Sequence, residues 1–172
     1  DIKENDWKIT FAETGLNNMT GSRVKQIEKF IGSDETFMLT YGDGVSDVNI
    51  DELIQFHNRQ ERILTLTGVR PAGRFGEIKC TDDGVISEFN EKPQTAEGRI
   101  NGGFFVCNKK LFSILDDDDQ LVFEKEPMMK LVNKKELVQF NHDGFWQPMD
   151  TYREYKLLNS LYDNGEAPWK KW

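Results

Sequence analysis

The chain has 172 residues, which suits one domain with a single core that buries roughly two thirds of the surface of the unfolded chain. Its 22 basic and 30 acidic residues give a formal net charge of −8, which argues against a nucleic-acid partner because phosphates attract a basic surface. The same acidic balance favours a soluble protein. No apolar run approaches the ~18 residues of a membrane-spanning helix, and no signal peptide precedes Asp1.

The first predicted elements are a strand and a helix. Apolar and polar side chains alternate over Trp7–Phe11, which predicts a half-buried strand. After a polar loop, Ser22 is the predicted N-cap of a helix whose apolar face contains Val24, Ile27, Phe30 and Ile31. The segment Thr20–Arg23 then lies at a helix N-terminus, where free N–H groups and the helix dipole favour a bound anion. The alternative is an ordinary capped surface helix with Arg23 in solvent.

A strand, a tight turn and a helix are predicted around the segment Thr40–Asp47. The strand covers Thr36–Leu39, and apolar residues at helical spacing follow from Asp51 to about Gln60. In an open α/β sheet the carboxyl ends of the strands face the ligand crevice, so Asp43, between two glycines, is a candidate ligand for a metal-bound phosphate. The alternative is that Gly-Asp-Gly is only a turn, because both residue types are favoured in turns.

The middle of the chain contains a predicted hairpin between two buried strands. The apolar run Ile63–Val69 predicts a strand that pairs in parallel with the strand before the helix. Glu77–Cys80 and Val85–Phe89 are the predicted hairpin, and Ile100–Cys107 is the next strand. A glycine pair at the entrance of that strand, Gly102 and Gly103, indicates a close backbone approach. The two cysteines lack zinc-site spacing, so we predict that both are reduced core residues of a cytoplasmic protein.

The last third of the chain is predicted to mix helices with one strand. The predicted elements are a short helix at Leu111–Leu115, an acidic turn at Asp116–Asp119, a helix at Phe123–Val132, a strand at Leu137–Phe140, and a loop from Gly144 to Asp150 that opens into a helix from Thr151 to about Asn164. The four aspartates lack the alternating ligands of a calcium loop, so we interpret them as solvated charge. Asp150 directly precedes a predicted helix, so a simple N-cap role is the alternative to a ligand role.

Six short motifs occur in one order along the chain. They are Thr20-Gly21-Ser22-Arg23, Tyr41-Gly42-Asp43-Gly44, Gly73-Arg74-Phe75-Gly76, Glu91-Lys92-Pro93, Ile100-Asn101-Gly102-Gly103-Phe104-Phe105 and Phe145-Trp146-Gln147-Pro148-Met149-Asp150-Thr151. The set resembles the sugar-1-phosphate nucleotidyltransferases, and with the tail Ala167–Lys170 it is most similar to the glucose-1-phosphate cytidylyltransferases within them. The resemblance extends over essentially the whole chain.

The resemblance implies a fold and a position within a longer protein. The expected fold is a Rossmann-like α/β sheet, mixed and mostly parallel, with helices on both faces and all 172 residues in one domain. Family members begin with a strand, a glycine-rich loop with a Gly-Thr-Arg signature, and a Lys-Pro segment. Because this sequence contains no glycine-rich loop with a Gly-Thr-Arg signature followed by a Lys-Pro segment, we expect it to be the C-terminal portion of a longer parent, with its N-terminal strands missing and with no activity of its own.

The resemblance also implies an activity. The expected reaction transfers a cytidylyl group from CTP to α-D-glucose 1-phosphate and gives CDP-glucose and pyrophosphate, for nucleotide-sugar and surface-polysaccharide (O-antigen, lipopolysaccharide) precursor synthesis. The sugar phosphate is already an anion at neutral pH, so catalysis requires positioning and charge neutralisation rather than a general base.

The resemblance assigns roles to particular residues. Asp43 and Asp150 are the expected Mg²⁺ ligands, and Lys92 is the catalytic cation on the sugar phosphate. Glu91, Asn101 and Gly102 are expected at the sugar. The other expected substrate-binding residues are Asn18, Thr20, Gly21, Arg23, Gly42 and Gly76.

Three alternatives stay open at this point. The base preference rests on likeness alone, so dTTP or UTP could replace CTP. The chain could instead be a non-catalytic binding module. It could also have a structural role, because Trp169, Trp172 and the pair Phe145-Trp146 could seat a neighbouring subunit, and family members are generally oligomers; we expect a homo-oligomer or association with the missing N-terminal segment.

Overall fold

The computed structural model describes residues 7–71, 77–90 and 98–171. Within these ranges the strands are β1 Thr36–Thr40, β2 Gly44–Ser46, β3 Leu64–Val69, β4 Glu77–Cys80, β5 Ile86–Asn90, β6 Ile100–Asn108, β7 Leu137–His142 and β8 Trp146–Pro148. The α-helices are α1 Thr20–Gln26, α2 Ile50–Gln60, α3 Glu126–Asn133 and α4 Tyr152–Asp163, and two 3₁₀ helices cover Glu28–Phe30 and Lys109–Ser113. The molecule is of the α/β class.

The central sheet has the strand order β1-β6-β3-β7. β6 is antiparallel to both of its neighbours, whereas β3 and β7 are parallel. Three of the four strands therefore run in one direction, which confirms the mixed sheet, but only one of its three neighbouring pairs, β3 and β7, is parallel, so the sheet is not mostly parallel. The prediction that β1 and β3 pair directly is wrong, because β6 lies between them. Its consecutive residues Phe105, Val106 and Cys107 are all buried, and a strand that is apolar on both faces belongs inside a sheet.

Helices cover both faces of this sheet, as predicted. Successive strand residues point to opposite faces, so Leu64 and Thr65 of β3 face different layers. Leu64 joins the main core, which contains side chains from α1, the second 3₁₀ helix and α3. Thr65 faces α2, where its hydroxyl lies 2.8 Å from Nδ1 of the buried His57. α2 itself begins at the N-cap Asn49, whose side chain accepts a hydrogen bond from the Glu52 amide.

Several N-terminal predictions are wrong. Trp7–Phe11 is not a strand, and Trp7 and Phe11 are 72% and 94% exposed. The alternating apolar side chains of this segment could be buried only if the segment paired with a neighbouring strand, and none of the described strands pairs with it. Ser22 is buried inside α1, and the N-cap position belongs to Met19.

The two cysteines differ in their surroundings. Cys107 is buried as predicted, but Cys80 is exposed on β4.

In the C-terminal third, three helix boundaries differ from the predictions. The segment after β6 is a 3₁₀ helix, Lys109–Ser113. α3 begins at Glu126 rather than Phe123, because Pro127 is suited to the first helical turn. α4 is capped by Thr151 and not by Asp150: Thr151 and Glu154 form a capping box, in which each side chain bonds the backbone of the other residue. The N-cap alternative for Asp150 is therefore excluded.

The acidic turn is exposed, and its Asp116 carboxylate accepts a 2.6 Å hydrogen bond from Lys130, as expected for solvated charge. Across the described ranges no helix is long and apolar enough to cross a membrane. No group of three or more metal-ligating side chains occurs in those same ranges.

Candidate active site

Several of the predicted site residues lie along one edge of the central sheet, the edge at which β1 and β3 end. Tyr41, Gly42 and Asp43 directly follow β1, and the Tyr41 amide donates a 3.2 Å hydrogen bond to the Gly103 carbonyl. Because β6 is antiparallel, its amino end, with Asn101 and Gly102, lies beside the carboxyl ends of β1 and β3. This is the edge at which open α/β sheets bind ligands.

A two-stranded ribbon of β2 and β8, which we call the β2–β8 ribbon, brings Asp43 and Asp150 to neighbouring positions. Gly44 pairs with Pro148, and the Met149 amide donates a 2.7 Å hydrogen bond to the Asp43 carbonyl. Asp150 is the next residue, and both aspartates are exposed. Two carboxylates from distant parts of the chain are therefore available to solvent at the same edge of the sheet.

The glycine pair of β6 is closely surrounded, and the neighbours are parts of the same chain. A Cβ atom on Gly102 would lie 2.7 Å from Val69 Cγ1 and 3.0 Å from the Thr67 carbonyl oxygen. Gly103 has a φ of +78°, and a Cβ atom there would meet the Tyr41 ring at 2.5 Å. Trp146 Nε1 donates a 2.8 Å hydrogen bond to the Gly102 carbonyl. The β2–β8 ribbon is thus fixed to the start of β6.

A hydrogen-bond chain connects α1 with β6 through Tyr41 and Glu124. The Tyr41 hydroxyl donates to Glu124 Oε1, and Thr20 Oγ1 donates to Glu124 Oε2 at 2.8 Å. Asn101 Nδ2 donates to the Tyr41 hydroxyl at 3.3 Å, and Asn101 Oδ1 accepts from the Gly103 amide at 3.0 Å. Burial and the hydrogen bond to Glu124 raise the pKa of Tyr41 well above its ordinary value, so Tyr41 is a neutral donor.

The N-terminus of α1 is bonded to its own chain rather than open to an anion. The Gly21 and Ser22 amides both donate to the Leu121 carbonyl, at 2.8 and 3.2 Å. A Cβ atom on Gly21 would lie 2.8 Å from that oxygen, so glycine is required for this contact. The prediction that these amides are free for an anion is wrong. Any contact of Thr20 or Gly21 with a substrate must use other atoms.

Arg23 and Asn18 organise the loop before α1. The exposed Arg23 guanidinium donates to the Asn18 carbonyl at 2.8 Å, to Thr14 Oγ1 at 2.9 Å and to the Leu16 carbonyl at 3.2 Å. Asn18 Nδ2 donates to Ser22 Oγ at 3.0 Å. Although Arg23 is exposed, its guanidinium bonds the preceding loop, whereas the alternative interpretation left this side chain in solvent without partners.

Comparison with known proteins identifies the family. The model of the nucleotidyl transferase family matches residues 1–161. The chain belongs to the nucleotidyl transferase family. It is 43% identical over 166 residues to the glucose-1-phosphate cytidylyltransferase of Salmonella typhi, and 41% identical to the probable glucose-1-phosphate cytidylyltransferase of Bacillus subtilis. Each match covers 96% of this chain but only 64% of the relative.

Solved structures support the fold. A putative glucose-1-phosphate thymidylyltransferase from Bacillus anthracis superposes with a TM-score of 0.66 at 18% identity, covering 88% of this chain and 64% of that one. HddC from Yersinia pseudotuberculosis also gives 0.66, at 20% identity and with 94% and 71% coverage. The described sheet and helices thus share their fold with both of these structures.

Three predicted site residues of this nucleotidyltransferase chain, Gly76, Glu91 and Lys92, lie outside the described residues. Sequence reasoning missed the hydrogen bond between Tyr41 and Glu124, because the two residues are 83 positions apart and no local sequence pattern indicates such a contact. It also missed Ser46, Asp47 and His142, which meet at the far end of the β2–β8 ribbon. A signal was present for one of them, since His142 is one of only two histidines in the chain.

The aromatic residues assigned to an assembly role contact one another within the chain. The Phe145 and Trp169 rings lie 5.4 Å apart and both residues are partly buried, while Trp146 bonds Gly102 as described above. The Phe145–Trp169 contact holds the C-terminal tail against the end of the β2–β8 ribbon, whereas Trp146 attaches the ribbon to β6. Trp172 lies outside the described residues.

Proposed function

We propose that the protein that contains this chain transfers a cytidylyl group from CTP to α-D-glucose 1-phosphate, giving CDP-glucose and pyrophosphate. The observation that supports this most is the hydrogen bond from the Met149 amide to the Asp43 carbonyl, which draws two exposed carboxylate residues to the ligand edge of the sheet. The chain is 43% and 41% identical to two proteins named for this activity.

The two aspartates fit Mg²⁺ as a cofactor. Their oxygens are hard ligands, and Mg²⁺ is usually bound by one or two carboxylates together with substrate phosphates and several waters. The described residues contain no group of three or more side chains that could hold a metal ion, so the protein ligands in this proposal are the two aspartates alone. When bound, the ion would neutralise charge on the phosphates during in-line attack by the sugar phosphate.

On the sugar side, Asn101 is already oriented. One amide hydrogen is bonded to Tyr41 and the carbonyl oxygen accepts from the Gly103 amide, so one hydrogen and one lone pair stay available for a sugar hydroxyl. Gly102 is the next residue of β6. Lys92 as the cation on the sugar phosphate and Glu91 as an acceptor for sugar hydroxyls rest on the resemblance alone.

On the nucleotide side, we assign Asn18, Thr20, Gly21, Arg23, Gly42 and Gly76. The supporting observation is that the loop before α1 is ordered by three hydrogen bonds from Arg23 and connects to the sugar side through Thr20, Glu124 and Tyr41. Because CTP and a sugar phosphate are the substrates of this proposal, it places the protein in the cytoplasm. CDP-glucose would then serve as a surface-polysaccharide (O-antigen) precursor.

Binding of CTP with Mg²⁺, measured by isothermal titration calorimetry, tests the metal pair. We expect Asp43→Asn to abolish the Mg²⁺-dependent heat, because one of two anionic ligands is lost. The matched control is Asp51→Asn, which removes an exposed aspartate from the first turn of α2. In the whole protein, Asp43→Asn should lower turnover by about 100-fold or more. Unchanged binding and turnover in Asp43→Asn would exclude the assignment.

The choice of base is tested with a panel of nucleotides. Under the proposal, CTP gives product with glucose 1-phosphate, while dTTP and UTP give little at equal concentration. Faster turnover with dTTP or UTP would keep the reaction class and replace the nucleotide. Binding of CTP without product from any nucleotide in the whole protein would instead favour the non-catalytic binding module.

A further inference from the structure

The β2–β8 ribbon that brings Asp43 and Asp150 together is too short to be stable without support. Each strand of the ribbon has only three residues. One further hydrogen bond crosses between the two segments at each end of the ribbon: the Met149 amide donates to the Asp43 carbonyl at 2.7 Å, and the Asp47 amide donates to the Phe145 carbonyl at 3.1 Å. Isolated two-stranded ribbons are marginally stable at best in water. The geometry at the aspartate end therefore depends on what holds the other end.

At that other end, a single nitrogen of His142 faces three oxygen atoms. His142 Nε2 lies 3.0 Å from Asp47 Oδ1, 3.2 Å from Ser46 Oγ and 3.2 Å from the Phe145 carbonyl oxygen. The Ser46 hydroxyl donates its own hydrogen to the Phe145 carbonyl at 2.8 Å, so it presents a lone pair to the ring. Because all three oxygens are acceptors toward His142, Nε2 must carry a hydrogen.

Asp47 Oδ1 is the atom that most needs this hydrogen. It is buried and has no well-aligned hydrogen bond, although it lies 3.0 Å from His142 Nε2. Leaving a buried carboxylate oxygen without any donor is costly. Among the described residues, the other cation paired with this carboxylate is Lys171, whose Nζ lies 4.0 Å from the second oxygen, Oδ2. Removal of the His142 N–H would therefore leave Asp47 Oδ1 without a donor and push β2 away from β7.

The backbone around His142 is itself fixed, so the ring has a rigid base. Arg99 Nη1 donates to the His142 carbonyl at 2.9 Å, and Arg99 Nη2 pairs with Asp143 Oδ1 at 2.6 Å. The next residue, Gly144, has no room for a side chain: a Cβ atom there would overlap Asp47 Oδ1 and lie 2.7 Å from His142 Cε1. β7 thus offers a firm support to which the ribbon is attached.

We propose that His142 is a positioning residue for the Asp43–Asp150 pair, and that it acts by donating from Nε2 to the Ser46–Asp47–Phe145 oxygens at the far end of the β2–β8 ribbon. Neither aspartate of the pair touches His142; the effect travels along the ribbon. The inference rests on the proposed function in one respect, namely that Asp43 and Asp150 bind a metal ion. The mechanical part, attachment of the ribbon, is independent of it.

The first test is hydrogen exchange at the Met149 amide, measured by NMR in the 172-residue chain. His142→Leu removes the donor, whereas His142→Gln places an amide N–H near the Nε2 position. We expect exchange at Met149 to accelerate about tenfold or more in His142→Leu and to stay close to the original rate in His142→Gln. Amides of β6 should be unchanged in both variants. An unchanged Met149 rate in His142→Leu would overturn the proposal.

The second test is the affinity for Mn²⁺ in the presence of CTP, measured by electron paramagnetic resonance. We expect His142→Leu to weaken Mn²⁺ binding by about 10-fold to 100-fold and His142→Gln to restore it, as for residues that orient metal ligands. Equal affinities of the whole protein with and without either substitution would refute the positioning role. No Mn²⁺ binding by the unaltered whole protein would instead contradict the proposed function, while the exchange experiment would still decide the attachment of the ribbon.

A second variant covers the case in which His142→Leu does not fold. Gly144→Ala keeps the histidine but forces Asp47 Oδ1 away from it, so it should accelerate exchange at Met149 to a similar degree. Protection of Met149 that survives in Gly144→Ala would count against the proposal.

Discussion

At the scale of single residues, the candidate site depends on side chains that donate to one another before they meet any substrate. Tyr41 is the centre of this arrangement, since its hydroxyl donates to Glu124 and accepts from Asn101. Glu124 in turn accepts from Thr20. One hydroxyl group therefore links helix α1 to strand β6.

Tyr41 also predicts how stability depends on pH. Its pKa is raised in the folded chain, first by burial and then by Glu124, from an ordinary value of 10.0. The folded state therefore retains the proton more strongly, and the contribution of Tyr41 is fully present below pH 10 and is lost as the pH rises further. Tyr41→Phe should cost about 1 kcal/mol in the free energy of unfolding at pH 8.

Urea denaturation of both proteins checks this prediction. Because Tyr41→Phe has no proton to lose, the difference between the two proteins should shrink above pH 10. A difference that stays constant up to pH 11 would contradict the assigned role of the hydroxyl proton. Phenylalanine keeps the ring that packs edge-on against Phe105, so the comparison isolates the hydroxyl group.

At the scale of secondary-structure elements, the sequence predicted most strands and helices, including the β4–β5 hairpin, and missed the two three-residue strands β2 and β8. β1, β3, β6 and β7, together with α2 and α4, follow their hydrophobic periods because each has an extended apolar face to bury. β8 has three residues and pairs with a strand about 100 positions away, so no local period could indicate it. The Trp7–Phe11 alternation failed for the opposite reason: its period is clear but no described strand pairs with it.

At the start of α4, helix capping and the proposed metal binding belong to two adjacent residues, Thr151 and Asp150. Thr151 Oγ1 accepts from the Glu154 amide, and the Glu154 carboxylate accepts from the Thr151 and Asp150 amides. Thr151→Ala should therefore lower the free energy of unfolding by about 1 kcal/mol and leave Mg²⁺-dependent CTP binding nearly intact. Asp150→Ala should do the reverse, because the Asp150 side chain makes no cap.

Chemical denaturation and calorimetry on the two variants decide between these roles. The prediction fails if Asp150→Ala destabilises the chain as much as Thr151→Ala does. The Asp150 case also illustrates a limit of sequence reasoning. Both Asp and Thr are good N-caps, so the position of the first helical turn was needed to tell which one serves.

At the scale of the whole molecule, the described surface contains apolar side chains that neither the core nor the site uses. Trp7, Ile9 and Phe11 are 72%, 69% and 94% exposed at alternate positions of one segment. β1 is an edge strand of the described sheet, with Met38 exposed on it. Clustered exposed apolar side chains and unpaired strand edges are features of surfaces that associate.

We expect a second copy of the chain to cover the Trp7–Phe11 segment, because an alternating extended segment without a partner can pair with its counterpart in another molecule. Sedimentation velocity should then give a mass above 20.0 kDa that rises with protein concentration. The double variant Trp7→Ser and Phe11→Ser should lower the association, whereas Lys8→Ser and Thr10→Ser, which change the polar positions of the same segment, should leave it unchanged. Because these residues lie outside the site, the mass should shift without a change in CTP binding. A single species of 20.0 kDa at all concentrations, or equal association in both double variants, would show that this segment is not an interface.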